Sequence, residues 1–439
     1  MRRDAPKVRW QMSRPARTSW NAGGGRLASN ACWLLVGQGF GLLLQAGYFI
    51  MLGRLLGAAE YGIYVGAVAL VAILAQYSAL GTHSVFLRHV SPDPGNFRCY
   101  WANLVVTTTV LGSVLAALLA WAGPHVSHSY THGMIACLAA GDCVCAQLTL
   151  GAGRVFQAFE RMRLTASLNL LTNLLRATLA GTLLWTVHRA TAREWVWATL
   201  AVSAIAAATA VMLVTKYFGK PQLSGHLLKA RAGEGLVFAL SYSTGGVVND
   251  LDKAMLGHYG MNLANGIYAM AYRVVDAGTM PISAVHTAAF PRFFKKGIAG
   301  AASTYAFARR ILTRTAPAAL LIAVLLFVVA PWIPRILGGS FAESSEALRW
   351  LCLLPLFRSL HMSAGDALTG AGHQNLRLST QVCAAALNIG LNLYLIPRHG
   401  WQGAAWASLA TDGALGILNW GVLLTTRREV PRIGLASAT

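Results

Sequence analysis

Several ionisable residues of this chain stand inside long apolar stretches, where charge is expensive. A charged side chain at the centre of a lipid bilayer costs about 2.5 to 3.5 kcal/mol even on a lenient scale, so such residues mark substrate sites, ion pathways or local ion pairs. Protonation or cation binding at a buried carboxylate can bias a protein between two states. The cationic candidates are Arg176, Lys253, Arg273 and Arg358, and the acidic ones are Asp250, Asp252 and Asp276.

Some of these charges have potential partners on the same helix. Asp250 lies three residues before Lys253. Arg273 lies three residues before Asp276. Side chains at this spacing share one helix face and can neutralise each other. A functional role and purely structural pairing therefore both remain open for these four residues.

Amide side chains form two stripes at helical spacing. Asn169 and Asn173 precede Arg176 by seven and three residues, and no acidic residue is nearby in the sequence. Asn388 and Asn392 lie one helical turn apart in a later stretch. Such amides either join helices through hydrogen bonds or line a hydrated cavity that binds sugar hydroxyl groups.

The apolar stretches around these residues predict membrane-spanning helices. The chain has 439 residues, of which 55% are hydrophobic and 12% charged. This composition excludes a disordered chain and an ordinary soluble enzyme. About 20 apolar residues suffice for a helix to cross a bilayer. We predict an all-α polytopic membrane protein with twelve spans at 27–52, 62–82, 101–122, 133–152, 167–187, 195–215, 235–257, 265–290, 316–337, 347–369, 377–396 and 402–425.

The basic excess follows the topology of the chain. Lys and Arg number 36 against 15 Asp and Glu, for a net charge of +21. With a cytoplasmic N-terminus, most of these cations lie on the cytoplasmic side, as membrane insertion favours. We therefore place both termini in the cytoplasm and expect no nucleic-acid partner. The cations left outside are Arg54, Arg189, Arg193, Arg335, Arg349 and Arg398.

Catalytic signatures are missing from the sequence. We find no phosphate-binding loop, no nucleophile elbow and no zinc-protease motif. The seven cysteines are scattered without a repeated spacing. We therefore expect no enzymatic activity, no cofactor and no metal site.

An internal repeat divides the chain into two halves. At an offset of 204 residues, Gly53 aligns with Gly257, and the segment 62–64 aligns with 266–268, both reading GIY. Six spans precede the repeat, so the halves share one orientation and predict two six-helix bundles around a central cavity. The predicted domains are a basic tail (1–26), the first bundle (27–215), a basic linker (216–234), the second bundle (235–425) and a C-terminal tail (426–439).

Five segments resemble a known family of membrane proteins. They are residues 52–64 (LGRLLGAAEYGIY), 252–257 (DKAMLG), 266–273 (GIYAMAYR), 290–292 (FPR) and 388–405 (NIGLNLYLIPRHGWQGAA). This chain resembles the polysaccharide exporters, the O-antigen-type lipid-linked oligosaccharide flippases of the multidrug/oligosaccharidyl-lipid/polysaccharide superfamily. The matching segments are signatures of helix ends and packing, and they are more specific for the fold than for the substrate.

The resemblance implies a function and a location. It implies a V-shaped pair of bundles that moves a polyprenyl-diphosphate-linked oligosaccharide across the bacterial inner membrane by alternating access. Arg176, Arg273, Arg358 and Arg54 are then the candidates for a cationic clamp on the diphosphate, because guanidinium groups bind phosphate oxygens bidentately. Membrane lipids and the polysaccharide polymerase and export machinery are the other partners that it implies.

Two other functions remain open at the level of sequence. A multidrug or cation antiporter with the same fold needs acidic groups in its cavity. A membrane-embedded glycosyltransferase or polymerase needs a substantial extramembrane loop with catalytic residues, which the sequence does not contain.

Overall fold

A computed structural model describes residues 23–159, 161–223, 232–236, 238–239 and 250–427 of the chain. Most of the basic tail and of the linker, the C-terminal tail and residues 240–249 of the predicted seventh span lie outside the described residues. The proposed domain boundaries therefore stay a prediction.

Long helices form the first half of the chain. Their order follows the predicted spans, with one short additional helix after the second span. They are α1 (Gly23–Ala75), α2 (Thr82–Val90), α3 (Phe97–Val126), α4 (His132–Ala139), α5 (Gln147–Ala158), α6 (Met162–Thr186) and α7 (Ala192–Phe218). A π-helical turn (Ala140–Ala146) joins α4 to α5, so these two form one continuous span.

The second half repeats this architecture. Its helices are α8 (residues 250–258), α9 (Asn262–Gly297), α10 (Ala301–Val329), α11 (Ile333–Leu337), α12 (Ser344–Leu351), α13 (Leu354–Gly370) and α14 (Gln374–Thr426). In the ranges described, the chain is all-α, as predicted.

Two glycines divide the longest helices. Gly57 interrupts α1 with φ 70° and ψ 171°, and Gly400 interrupts α14 with φ 55° and ψ −129°. Glycine has no Cβ atom and tolerates these angles, which other residues rarely adopt. Each 53-residue helix is therefore two spans that reverse direction at the glycine. With these breaks, the described elements follow the order of the twelve predicted spans, and α8 is the described end of the seventh.

By hydropathy alone, fewer of these segments qualify as membrane spans. Six described stretches are long and apolar enough to cross a membrane by length and composition. Polar and charged residues lower the hydropathy of others, as Arg176 does in α6 and Arg358 does in α13. Some predicted ends were also wrong. The second span stops at Ala75, before a turn in which Leu80 has φ 44°, and α10 begins at Ala301 rather than near 316.

The two halves meet through contacts that repeat the 204-residue offset. A Cβ atom on Gly62 would lie 1.8 Å from the carbonyl oxygen of Asn262. A Cβ atom on Gly266 would lie 1.9 Å from the carbonyl oxygen of Ala58. At the 204-residue offset, Ala58 corresponds to Asn262 and Gly62 corresponds to Gly266. The two contacts are therefore equivalent under the repeat. This confirms the predicted repeat and its axis between the halves.

The halves are closed against each other on one face of the bundle. This face carries Gly57 and Gly400, and we call it the outer face because the charge distribution predicts that it points out of the cell. Here His258 bonds the carbonyl oxygen of Val126 at 2.6 Å, and the Asn262 amide donates to Ser129 at 2.8 Å. Buried side chains from both halves also form one core cluster there. The conformation is therefore outer-closed.

Candidate functional site

The largest group of buried charges surrounds a cavity of about 480 Å³ in the second half. Helices α8, α9, α13 and α14 line it, and the packing of α13 against α9 and α14 holds them together. Its polar lining comprises Asp250, Lys253, Tyr272, Arg273, Asp276, Arg358, His361, Gln381, Thr411 and Asp412. The structure thus brings together five of the predicted site residues: Asp250, Lys253, Arg273, Asp276 and Arg358.

Arg358 has three polar partners in the cavity. Its Nη1 donates to Asp276 Oδ1 at 2.8 Å, and its Nη2 donates to the Tyr272 hydroxyl at 2.8 Å. Its Nε also lies 3.7 Å from Asp412 Oδ2. Arg358 of α13 is thereby tied to α9 and α14, and the guanidinium has two carboxylate partners.

Lys253 is buried and lies between two carboxylates of α8. Its Nζ is 3.6 Å from Asp250 Oδ1 and 3.4 Å from Asp252 Oδ1. The ammonium group also lies 4.5 Å from the centre of the Tyr272 ring, which adds a cation–π contact. The pairing of Asp250 with Lys253, one of the two structural alternatives from the sequence, is present.

Asp252 faces away from the cavity. It is 2% exposed, and its Oδ2 accepts a short hydrogen bond from the Tyr268 hydroxyl. Ser408 lies 2.9 Å from the same hydroxyl and 3.4 Å from Asp252 Oδ2. This buried network joins α8, α9 and α14, so it suits a structural role better than ion exchange with the cavity.

Arg273 stands apart from the other cations. Asp276, its predicted partner at three residues' distance, bonds Arg358 instead. Among the described residues, Arg273 has no carboxylate within 4 Å, and its guanidinium carbon lies 4.8 Å from the centre of the Phe49 ring of α1. Arg273 therefore places a cation that has no direct ion pair with a described carboxylate on the cavity side that faces the first half, although Asp276 and Asp250 lie within range of its charge.

The formal charge of the cavity is balanced. Three cations, Lys253, Arg273 and Arg358, face three carboxylates, Asp250, Asp276 and Asp412. His361 adds a titratable group, with its Nε2 4.0 Å from Asp412 Oδ1. Among the described residues, Arg273 is thus the cation of the cavity that has no carboxylate within 4 Å.

The first half offers a much smaller site. Arg176 lines a cavity of about 20 Å³ together with Asp142, which lies in the π-helical turn. Asn173 approaches Gly41 of α1, whereas Asn169 is exposed. The predicted stripe on α6 therefore does not form one site.

The remaining predicted residues lie outside the large cavity. Asn392 Nδ2 donates to Asn388 Oδ1 at 2.9 Å, and Asn388 Nδ2 donates to Thr411 Oγ1 at 3.1 Å. Both amides are buried, and they join the two arms of α14, the first of the alternatives left open by the sequence. Arg54 lies at the outer face, where its Nε donates to the carbonyl oxygen of Ile336 at 2.7 Å.

Sequence reasoning missed three titratable residues of these sites. Asp412 and His361 belong to the large cavity, and Asp142 belongs to the small one. Each lies within a predicted span, which is the signal by which the other buried charges were found. Asp142 in particular is an acidic residue inside the apolar stretch 133–152.

Comparison with known proteins decides the family. The model of the polysaccharide biosynthesis protein family matches residues 27–296, more than half of the chain. The chain belongs to this family. Among the curated proteins, none matches this member of the polysaccharide biosynthesis protein family.

Solved structures agree with this family on the fold. An inward-facing multidrug resistance MATE family transporter of the MOP superfamily aligns with a TM-score of 0.66 at 14% identity, over 88% of this chain and 96% of its own. The MATE multidrug transporter DinF-BH aligns with 0.61 at 17% identity, over 91% and 95%. A MOP superfamily transporter from Pyrococcus furiosus, described as having a binding pocket of reverse polarity, aligns with 0.59 at 13%, over 90% and 95%. This polysaccharide biosynthesis protein is a multi-pass membrane protein with a transporter fold.

Proposed function

We propose that this protein is a flippase for a polyprenyl-diphosphate-linked oligosaccharide. It would lie in the bacterial inner membrane with both termini in the cytoplasm and work by alternating access. The observation that carries the proposal is Arg273, a guanidinium with no described carboxylate within 4 Å, beside a cavity of about 480 Å³ in a member of a polysaccharide biosynthesis family.

The diphosphate group fits this cation chemically. A guanidinium binds two phosphate oxygens at once through parallel N–H groups, and such charge-assisted bonds are about twice as strong as neutral ones. Arg273 has no described ion pair within 4 Å to break, so it is the cation of the cavity that is most available to the headgroup. The charged headgroup then stays in a polar cavity while the prenyl chain stays in lipid.

The ion pairs of the cavity suggest how binding is coupled to an ion. A diphosphate that reaches Arg358 competes with Asp276 and Asp412 for the same guanidinium. A carboxylate that loses its cation in a low-dielectric site gains a proton or a cation in its place. Cargo binding and ion uptake then occur together, and the two-state equilibrium responds to both.

The sugar portion meets uncharged polar groups. Gln381, Thr411 and the Tyr272 hydroxyl line the same cavity and can bond sugar hydroxyl groups. Membrane lipids and the polymerase and export machinery remain the other partners in this proposal.

A deletion strain tests the proposal. Surface polysaccharide and lipid-linked oligosaccharide on the cytoplasmic leaflet are measured after complementation with wild type, Arg273→Gln or Arg273→Lys. We expect Arg273→Gln to lose surface polysaccharide and to accumulate the lipid-linked precursor. Arg273→Lys should recover part of the export, because it keeps the charge but not the bidentate geometry.

The matched control is Arg398→Gln, because Arg398 is an exposed arginine that bonds only its own helix at Tyr394. It should export normally. Wild-type export by Arg273→Gln at normal protein level would contradict the proposal, as would a deletion strain in which neither product changes.

A second function has specific support. Asp250, Asp276 and Asp412 line the cavity, and acidic groups suit a cation or multidrug antiporter of the same fold. This candidate predicts drug resistance on overexpression, reduced by Asp276→Asn and retained by Arg273→Gln. The flippase proposal predicts no such resistance.

A further inference from the structure

A second large cavity lies at the outer face and shares no lining residue with the charged cavity of the second half. Its volume is about 560 Å³, and both halves contribute to its walls. Arg54, Glu60 and Arg189 come from the first half, and Arg335 and Ser340 come from the second. We call it the outer pocket.

The outer pocket gathers half of the cations that the sequence places outside. Arg54, Arg189 and Arg335 are three of six such residues. Positive charge is disfavoured on this side of the membrane, so its concentration in one pocket calls for an explanation. The only other charge in the lining is Glu60.

One carboxylate oxygen of Glu60 is held by the start of α7. Its Oε2 accepts the backbone N–H of Ala192 at 2.7 Å, at the start of α7. Among the described residues, none of the three arginines has a carboxylate within 4 Å. The pocket therefore carries a net charge of +2, and none of its three guanidinium groups forms a direct ion pair with a described carboxylate.

Backbone groups add to the positive potential. After the break at Gly57, the second arm of α1 begins at Ala58, and Ala58, Ala59 and Glu60 all line the pocket. The first N–H groups of a helix have no partners within the helix and favour anions. The N–H of Ala58 points to the Ser340 hydroxyl at 3.4 Å, which can itself donate to a ligand.

The pocket exists because the halves are closed. Arg54 of α1 donates through Nε to the carbonyl oxygen of Ile336 in α11, which leaves its terminal nitrogens for a ligand. Separation of the halves at this face would break that bond and move Arg335 away from Arg54. A ligand of the pocket must therefore favour the outer-closed state.

We propose that the outer pocket binds a phosphate or diphosphate group and thereby stabilises the outer-closed conformation. The group has two sources, a prenyl-linked lipid headgroup in the outer leaflet or a free phosphate outside the membrane. The lipid source rests on the proposed function, whereas anion binding does not. A headgroup bound here after release would return the protein to the state that accepts new cargo.

Binding is measured on the purified full-length protein in detergent. Fluorescence of its 13 tryptophans reports the melting temperature during titration with geranyl diphosphate, inorganic diphosphate or geraniol. A ligand of the folded state raises the melting temperature with its concentration. We expect both diphosphates to raise it if the free group suffices, and geranyl diphosphate alone if a prenyl chain is needed. A shift with geraniol alone would overturn the proposal.

Two triple variants locate the binding. Arg54→Gln, Arg189→Gln and Arg335→Gln together should raise the Kd by about tenfold or more, because charge-assisted hydrogen bonds to the anion are lost. The matched control combines Arg193→Gln, Arg349→Gln and Arg398→Gln, which remove the same charge from the same face, and it should bind as wild type does. Equal loss in both triple variants would overturn the site.

A double variant tests the pocket without removing a contact that holds the closed state. Arg189→Gln with Arg335→Gln keeps the bond between Arg54 and Ile336 and should still weaken binding by about tenfold. Arg273→Gln separates this inference from the proposed function. If Arg273→Gln abolishes the shift and the outer variants do not, the ligand binds in the cavity of the second half and the outer pocket is not its site.

Discussion

The two halves of this protein share a backbone plan but differ in their charges. The second half holds a cavity of about 480 Å³ with six charged residues, and the first holds one of about 20 Å³ with Arg176 and Asp142. At the repeat offset, Lys253 corresponds to Phe49 and Asp276 to Ala72. The scaffold was duplicated, whereas the charges of α8 and α9 that line the large cavity fall on uncharged residues of the first half. These charges therefore belong to a function of the second half and are not a requirement of the shared fold.

The contacts between the halves provide the first test, because they belong to the shared plan. Gly62→Ala and Gly266→Ala each place a methyl group within 2 Å of a carbonyl oxygen of the other half. Each should reduce transport by about tenfold or more, since a loss of about 1.4 kcal/mol in the closed state changes the ratio of closed to open protein tenfold. Equal effects of the two substitutions are expected from the symmetry.

The control for this pair is Gly390→Ala in α14, where an added Cβ atom meets nothing within 4 Å. Transport assays with the three variants at equal protein level make the comparison. Normal transport by Gly62→Ala would show that the halves do not close through this contact.

The second prediction concerns the charges themselves. Arg358→Ala removes the partner of Asp276, Asp412 and Tyr272 and should lower the free energy of unfolding by about 3 kcal/mol, the usual cost of a buried charge left without its partner. Arg176 in the first half has no carboxylate within 4 Å among the described residues. Arg176→Ala should therefore lower the free energy of unfolding by less. Thermal unfolding of both variants measures the difference. A larger loss for Arg176→Ala would reverse the comparison between the halves.

The third prediction separates two adjacent carboxylates. Asp252→Ala leaves the Tyr268 and Ser408 hydroxyl groups without their buried acceptor and should cost about 2 kcal/mol of stability. Asp250→Ala removes a more exposed carboxylate of the cavity and should alter the pH dependence of transport more than stability. Unfolding and transport measured on both variants distinguish a packing residue from a cavity residue. Identical behaviour of the two would contradict this division.

The smallest effect is expected at the amides of α14. Asn388→Ala loses hydrogen bonds to Asn392 and Thr411 and should cost about 0.6 kcal/mol for each, the average for such bonds in a membrane protein. Transport at saturating cargo should be unchanged. A selective loss of transport would return Asn388 to the substrate site.

The sequence predicts the scaffold well because its signals are local. Apolar stretches show the spans, and the 204-residue offset shows the duplication that the contacts of Gly62 and Gly266 confirm. Buried charges also identify most of the cavity. Their pairing was not predictable, because Arg358 and Asp276 are 82 residues apart and meet only through the packing of α13 on α9. The same limit applies to the link between Asn388 and Thr411 and to the shared cavity of Arg176 and Asp142.

The backbone contact at Gly62 and Gly266 also has an electrical consequence. Two helices that touch through their backbones leave no room for water, so the membrane potential falls steeply across this thin layer. Each elementary charge that crosses the full potential gains or loses about 2.3 kcal/mol per 100 mV. Because the cell interior is negative, movement of an anion out of the cell is favourable by this amount of free energy. Under the proposed function, the membrane voltage would therefore assist the release of the anionic cargo at the step in which these glycines separate.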